Sequence, residues 1–273
     1  MATRNADLTP MKTLFSTTLL LLVFLSSTVF ALPLEFTASY NLEKYGIAIA
    51  RSDYTLQHEN NGMRISQHTE AVGLAALLRS DQLDESSFVS RLHDQLLLTE
   101  FSYRQDSPDD KNRDIQFKIN WIQSGEKLLG KVSGTAYGEE LSLNVDEPVW
   151  DTSSYLIPLM LNTTENAPPQ QYTMMVKGEF KSYTFITHGI EIIEVNGNSI
   201  QAIKVERESA LDKSPIFMWL APSLNNLPVK VDKWKDGKLQ FSMLLEQVQF
   251  PSDNTMKFKS TMDTIQGFND SDY

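Results

Sequence analysis

Cysteine is absent from the chain of 273 residues. Its absence excludes disulfide bonds, a cysteine nucleophile and a lipid anchor attached through a cysteine. A small exported scaffold would need disulfides for stability, but a domain of about 240 residues can bury a sizeable core without them. The missing cysteines are therefore compatible with an oxidising compartment.

Basic residues are also in short supply. The chain has 24 Lys and Arg against 35 Asp and Glu, which gives a net charge of −11. Nucleic acids and anionic membrane surfaces attract clustered Lys and Arg. This balance argues against nucleic acid as a partner and against a membrane surface held by charge, and solubility is the simplest explanation of the acidity.

Recognisable catalytic motifs are missing as well. The sequence contains no Gly-x-Ser-x-Gly elbow, no phosphate-binding glycine loop and no dinucleotide fingerprint. Asp110, Asn112 and Asp114 have the spacing that opens a calcium loop, but Ile115 stands at the position of the required glycine and Trp121 at that of the glutamate. We therefore predict no catalytic residue, no metal and no cofactor, and we expect a binding protein sooner than an enzyme.

Two acidic clusters remain as candidates for acid–base chemistry. One consists of Asp81, Asp84 and Glu85, and the other of Glu139 and Glu140. In a chain this acidic we interpret both as solvated loops. The alternative is a hydrolase of envelope glycans that uses two carboxylates.

A single long apolar run, from Leu14 to Val29, indicates where the protein goes. Lys12 precedes the run, and Ala31 follows it at a cleavage position, which is the three-part pattern of a secretory signal. We expect Met11 to be the true start, signal peptidase to cleave after Ala31, and the mature chain to work in the periplasm. The run is short for a membrane span, and an uncleaved anchor is the alternative.

Apolar and polar residues alternate along most of the chain after Ala31, as they do from Leu34 to Leu42 and from Ile115 to Trp121. A period of two predicts half-buried β-strands. Tight-turn dipeptides predict hairpins at Asn61-Gly62, Asn196-Gly197 and Asp236-Gly237. The continuous apolar run Ile216 to Leu220 predicts a strand that is buried on both faces.

The hairpin at Asn61-Gly62 decides whether two histidines can share a metal. With a two-residue turn there, His58 faces Ile65, and His68 falls on the opposite face of the hairpin. His93 and His188 have no histidine or acidic partner close in sequence. We interpret all four histidines as surface or structural residues.

The alternation is interrupted once, near the middle of the chain. From Asp151 to Asn162 the apolar residues have a helical spacing, and Asp151 or Ser153 is placed to cap the helix. Pro158 fits such a helix only in its first turn. A second apolar run, Val72 to Leu78, is compatible with either a short helix or a buried strand.

These elements predict a mainly β fold: a strongly curved antiparallel sheet or partly open β-barrel with one central helix near 151–162. We divide the chain into a signal segment (1–31), a single β-rich domain (32–250) and a polar tail (251–273).

Large aromatic side chains are the candidates for a ligand site. They either fill the core or line a cavity that a curved sheet leaves for an apolar ligand. The candidate cavity-lining residues are Phe36, Tyr40, Trp121, Trp150, Phe185 and Trp219.

The order of several short features resembles DUF-3108, a family of exported bacterial proteins with a domain of unknown function. In sequence order the features are Phe36-Thr37-Ala38-Ser39-Tyr40, Gly46, Gly73-Leu74, Ser86-Ser87-Phe88, Asp151-Thr152-Ser153-Ser154-Tyr155, Tyr183-Thr184-Phe185, Trp219-Leu220-Ala221-Pro222 and Leu227-Pro228-Val229-Lys230-Val231. Ser223 stands where the family usually has an acidic residue. The resemblance implies an open or closed β-barrel, which by fold analogy alone is similar to periplasmic lipoprotein carriers, and it supplies no catalytic residues.

The predicted location and the fold class together suggest a non-enzymatic function. We expect binding of a lipid or another apolar envelope ligand, or of an envelope protein partner, during maintenance of the cell envelope. The alternatives are the glycan hydrolase and a structural partner in an envelope complex, for which a fully packed interior and an apolar surface patch would be typical.

Overall fold

Alternating side chains form sixteen strands in the part of the chain that the structure describes. The structure is a computed structural model that describes residues 32–78, 82–92, 95–106, 113–208, 214–251 and 256–257. The strands are β1 (Phe36–Lys44), β2 (Ile47–Glu59), β3 (Gly62–Ala71), β4 (Gln82–Leu92), β5 (Gln95–Asp106), β6 (Ile115–Ser124), β7 (Lys127–Ala136), β8 (Glu139–Val145), β9 (Val149–Trp150), β10 (Gln170–Val176), β11 (Glu179–Val195), β12 (Asn198–Glu208), β13 (Ile216–Ala221), β14 (Leu227–Lys235), β15 (Lys238–Gln249) and β16 (Met256–Lys257).

The strands join in one sheet. Its order is β8-β7-β6-β5-β4-β3-β2-β1-β15-β14-β13-β12-β11-β10-β9, with β16 beside β15. Neighbours pair antiparallel except for β9 and β10, which run parallel. Because β1 pairs with β15, the first strand lies beside one of the last. The sheet as a whole curls into a nearly closed barrel. The predicted fold class is confirmed.

The two ends of the sheet, β8 and β9, meet at a seam. No ladder joins these two strands in the part of the chain described here. The seam is nevertheless tight at one place, because a Cβ atom added to Gly178 would lie 3.1 Å from the Cβ of Ala136. Gly178 belongs to the β10–β11 turn and Ala136 ends β7, so the two sides of the seam are in contact.

Two short α-helices accompany the sheet in the described ranges. Helix α1 spans Gly73–Leu78 and resolves the ambiguity of that apolar run in favour of a helix. Helix α2 spans Leu156–Asn162, with buried Ile157, Leu159 and Met160, and Pro158 lies in its first turn as expected. No helix of the described residues is long and apolar enough to cross a membrane.

The hairpin at Asn61-Gly62 is predicted in the right place but in the wrong register. Glu59 pairs with Gly62, and His58 pairs with Met63 instead of Ile65, so the turn is Asn60-Asn61. The register differs by two residues, which preserves the faces of a strand. His58 and His68 therefore still lie on opposite faces.

Helix α2 also begins later than its predicted start at Asp151. Residues 152–155 form a turn ahead of it, and the N-cap position is occupied by Tyr155, which makes no side-chain capping bond. Asp151 caps this preceding turn instead, since its carboxylate accepts hydrogen bonds from the backbone N–H groups of Ser153 and Ser154.

The strand at Ile216–Ala221 is confirmed. Met218, Leu220 and Ala221 are fully inaccessible, but Ile216 and Phe217 are only half-buried, so the predicted burial on both faces holds for the second half of the strand alone. The turns at Asn196-Gly197 and Asp236-Gly237 are confirmed too, with positive φ at both residues of each turn. The segments 1–31, 252–255 and 258–273, on which the signal and most of the tail were predicted, lie outside the described residues.

Candidate functional site

A cavity of about 270 Å³ lies against the inner face of the sheet. Its walls come from β1, β2, β3, β4, β14 and β15, and the segment that leads into α2 closes one side. Most of the lining is apolar: Phe36, Tyr40, Leu42, Tyr54, Leu83, Tyr155, Leu156, Leu227, Pro228, Val231, Phe241 and Met243.

The exposure of the lining residues shows where the cavity opens. Phe36, Tyr40 and Leu227, at its inner end, are at most 3% exposed. Leu42 and Phe241 are only half-buried, and they lie close to the β1–β2 and β14–β15 turns. The mouth of the cavity therefore lies at the end of the barrel that carries these two turns.

Tyr40 fixes the inner wall. Its hydroxyl donates a hydrogen bond to the carbonyl oxygen of Pro228 at 2.8 Å, and its ring meets Tyr54 edge to face with centroids 5.5 Å apart. Burial raises the pKa of the Tyr40 phenol far above its usual value. Tyr40 thus presents a neutral aromatic surface, and its polar atom is already satisfied.

One wall of the cavity is polar. Gln67 and Thr69 line it, and the Gln67 amide donates to the hydroxyls of Ser52 and Thr69, both at 3.0 Å. Thr152 is the third polar residue of the lining. An apolar ligand in this cavity would therefore meet a few hydroxyl and amide groups along one side, as amphipathic ligands require.

Behind this wall lies Asp151, which is completely buried. Its Oδ1 accepts hydrogen bonds from the backbone N–H groups of Ser153 at 2.8 Å and Ser154 at 2.9 Å, and from the Ser87 hydroxyl at 2.9 Å. Its Oδ2 accepts a bond from the Ser154 hydroxyl at 2.8 Å. Burial raises the pKa of this carboxyl, while the four hydrogen bonds oppose the increase.

Glu85 supplies another buried carboxyl group next to this turn and is 7% exposed. Its two oxygens accept hydrogen bonds from the hydroxyls of Thr152 at 2.5 Å and Ser153 at 2.6 Å. Burial raises the pKa of Glu85 to about 7, against the lowering effect of these two hydrogen bonds. Near neutral pH this side chain is therefore divided between its neutral and charged forms.

A second cavity, of about 230 Å³, reaches Glu85 from the seam. Its lining includes Tyr103, Arg113 and Lys177, and it shares Thr152 with the first cavity. The turn at 152–155 thus separates an apolar chamber from a more polar one.

This arrangement does not match the paired carboxylates of a glycan hydrolase. Such enzymes need both carboxyl groups beside the substrate, one on each side of the scissile bond. Asp151 has no solvent-accessible surface, and its oxygens are occupied by the turn that they hold together. Asp151 and Glu85 connect the segment before α2 to β4 inside the barrel.

The structure separates the six predicted cavity-lining aromatic residues. Phe36 and Tyr40 line the apolar cavity. Phe185 and Trp150 belong to the core, where Phe185 packs on Tyr155 and Tyr172. The Trp121 indole donates to the carbonyl oxygen of Leu98 at 2.7 Å and lies in the β6–β7 region.

Trp219 lies on β13 among charged side chains that belong to other strands of the sheet. Its indole N–H donates to Glu191 Oε2 at 2.8 Å, and Lys230 lies 4.6 Å above its ring. The hydrogen bond from Trp219 lowers the pKa of Glu191. A neighbouring lysine, Lys204, bonds to the same carboxylate at 3.1 Å.

The remaining polar candidates are dispersed. His68 pairs with Asp84 at 2.7 Å on the exposed face, and His188 pairs with Glu206 at 2.8 Å. Within the described ranges, no group of three His, Asp or Glu side chains could hold a metal ion. Asp81, His93, Asp110 and Asn112 lie outside those ranges.

Sequence reasoning placed Glu85 in a solvated acidic loop, and this interpretation is wrong. Glu85 lies in β4, on the same face as the buried Ser87 and Val89. The available signal was the spacing of Leu83 and Val89, which lie an even number of residues from Glu85 and therefore share its face of a strand. The adjacent Asp84 is exposed, as expected for a solvated residue.

Comparisons with known proteins find a matching family by sequence and a similar fold among solved structures. The sequence model of the family described as "Protein of unknown function (DUF3108)" matches residues 35–243. A crystal structure of a β-barrel-like protein of domain of unknown function DUF1849 from Brucella abortus is similar with a TM-score of 0.52 and 12% identity, over 81% of this chain and 99% of that one. At this identity the likeness concerns the fold alone. No curated protein matches the chain.

Proposed function

The chain belongs to the DUF3108 family, and we propose that it binds a lipid or a similar amphipathic ligand inside its barrel, outside the cytoplasm. The observation that carries this proposal is the apolar cavity of about 270 Å³ with one polar wall. The signal pattern before Leu32 supports an exported location.

The shape of the interior favours a ligand over a purely structural role. A barrel that serves only as a scaffold can fill its interior with side chains. Here the residues that line the mouth leave open space, although Leu42, Phe241 and Met243 are all large. A space lined mainly by carbon atoms holds water poorly, and the entry of an apolar group into it lowers the free energy of the system.

Native mass spectrometry of protein recovered from bacterial periplasm without detergent tests the proposal. We expect an added mass that organic solvent extracts as lipid. Met243→Trp should reduce the loaded fraction, because the indole would occupy the mouth of the cavity. Leu244→Trp is the matched control, because Leu244 is the residue after Met243 in β15, is also half-buried and points to the opposite face.

Two outcomes would contradict the proposal. One is a clean ligand-free mass for the folded native protein, and the other is equal loading of both Trp variants. Circular dichroism of each sample establishes that the variants are folded, so that reduced loading reports on the cavity.

A further inference from the structure

Large apolar side chains are exposed together around the mouth of the cavity. Tyr45 and Ile47, at the β1–β2 turn, are 87% and 63% exposed, and Leu74 and Leu77, on α1, are 76% and 82% exposed. Leu239, just after the β14–β15 turn, is 39% exposed. We call these five residues, with the lysines described below, the mouth surface.

Pairing within the sheet brings these segments together. The backbone N–H of Val72, just before α1, donates to the carbonyl oxygen of Ile49 on β2 at 3.1 Å. Strand β1 pairs with β15 up to Glu43, which faces Ser242. The two turns and α1 therefore lie at the same end of neighbouring strands.

The same two turns are basic, although the chain as a whole is strongly acidic. Lys44, Lys233, Lys235 and Lys238 stand in the segments 43–47 and 233–239, against only two carboxylates, Glu43 and Asp236. Helix α1 has no charged side chain. This local excess of positive charge contrasts with the net charge of −11, so the overall balance conceals a basic site.

A bilayer surface has matching chemistry. Leucine and isoleucine side chains enter the boundary between headgroups and acyl chains, tyrosine and tryptophan favour the interface, and lysines bind anionic headgroups. Tyr45 and Trp234 supply the aromatic rings at the two turns, and the Lys44 ammonium lies 5.7 Å from the Tyr45 ring centroid.

We infer that the mouth surface docks on a lipid bilayer that carries anionic headgroups, with Leu74, Leu77 and Tyr45 in the interface and the lysines against the headgroups. In this orientation the opening beside Leu42 and Phe241 faces the lipid. The inference goes beyond ligand binding, because docking does not require an occupied cavity.

Sedimentation with vesicles tests the inference. Protein from the periplasm is incubated with vesicles of equal parts phosphatidylcholine and phosphatidylglycerol, or of phosphatidylcholine alone. We expect the native protein to sediment with the anionic vesicles and to be released as salt concentration rises. Lys235→Glu combined with Lys238→Glu should weaken binding roughly tenfold or more, since two lysines that attract anionic headgroups are replaced by carboxylates that the headgroups repel.

The apolar side chains of the mouth surface are tested with a separate variant and a matched control. Leu74→Asp combined with Leu77→Asp should abolish sedimentation, whereas Ile192→Asp should leave it unchanged. Ile192 is 76% exposed, like Leu74, but lies on β11 outside the mouth surface. Every variant has the same N-terminal processing, so a difference between variants reports on the mouth surface.

Failure of this inference can be told from failure of the proposed function. The docking inference would be overturned, whatever mass spectrometry shows, if the native protein does not bind anionic vesicles. It would also be overturned if the lysine and leucine variants of the mouth surface bind these vesicles as strongly as the Ile192→Asp control does. Met243→Trp fills the cavity without changing the mouth lysines or α1, and it should still sediment with the vesicles. Its loss of vesicle binding together with ligand loading would contradict an independent docking surface.

Discussion

Asp151 shows how a single buried charge can organise the interior. Its carboxylate satisfies two backbone N–H groups and two serine hydroxyls, so the turn at 152–155 depends on it. An isolated buried carboxylate is costly, but one that accepts four hydrogen bonds is largely compensated. We interpret the segment Asp151-Thr152-Ser153-Ser154 as the device that positions α2 and the polar wall of the cavity.

Removal of this carboxylate should therefore destabilise the fold strongly. We expect Asp151→Ala to lower the free energy of unfolding by about 3–5 kcal/mol, because buried donors lose their acceptor. Asp151→Asn, which keeps one acceptor oxygen, should cost less. Urea denaturation measures both, with the exposed Glu139→Ala as control, and equal losses for Asp151→Ala and Glu139→Ala would refute the assigned role.

Glu85 gives the stability a pH dependence of known sign. Its pKa is about 7 in the folded protein and is lower in the unfolded chain, so the folded state binds more protons in between. The stabilisation is complete below the unfolded pKa of about 4.3 and is lost as pH rises through about 7. We expect the native protein to lose up to about 3 kcal/mol across this window through Glu85.

The variant Glu85→Gln isolates this contribution. It cannot ionise, so its stability should fall less between pH 5 and 8 than that of the native protein, as measured by urea denaturation at each pH. The pKa of His68 is raised by its hydrogen bond to Asp84, so its contribution to the free energy of unfolding also decreases as pH rises. A His68→Gln background removes its influence, and identical pH profiles with and without Glu85 would contradict the prediction.

At the scale of elements, the sequence was sufficient for strands and most turns, and its one register error has a physical cause. Gly62 was interpreted as the second residue of a turn because Asn-Gly favours positive φ. In the structure Gly62 begins β3, and a Cβ atom there would lie 2.3 Å from the carbonyl oxygen of Val89. Because Gly62 has no side chain, β4 can approach the backbone closely at this position, and no local sequence pattern reveals that contact.

That contact yields a direct prediction. We expect Gly62→Ala to destabilise the protein by about 1–3 kcal/mol, because the backbone oxygen of Val89 cannot move away as a flexible side chain would. Asn60→Ala, in the adjacent turn and exposed, should change stability by no more than about 0.5 kcal/mol. Thermal unfolding of both variants checks the difference, and a neutral Gly62→Ala would mean that β3 and β4 are less closely packed there.

At the scale of the whole molecule, the sequence indicated a curved sheet but could not determine how far it closes or which aromatic residues reach the cavity. Closure depends on contacts between segments far apart in sequence, such as Ala136 and Gly178. The lining likewise depends on how strands curl: Phe36 and Tyr40 face the cavity, whereas Trp219 lies among charged side chains. A period of two defines two faces of a strand but not which one encloses a space.

The seam offers a test of how a ligand enters. The chain lacks cysteine, so Ala136→Cys with Gly178→Cys introduces a single pair, and the 3.1 Å between Cβ positions requires only a small outward shift to suit a disulfide. The positive φ of Gly178 adds some strain to the variant. Oxidation should cross-link the pair within one chain, which mass spectrometry detects as the loss of two hydrogens.

If lipid enters through the mouth beside Leu42 and Phe241, the cross-linked barrel should load as fast as its reduced form. We expect equal rates when lipid-free protein, prepared by refolding from denaturant, is mixed with a fluorescent fatty acid, because the disulfide restrains β7 and β10–β11 and leaves the mouth surface free. Ala136→Cys alone controls for the oxidant. Slower loading only in the cross-linked form would instead show that the seam between β8 and β9 must open for the ligand to enter. The mouth would then serve for docking but not for ligand entry.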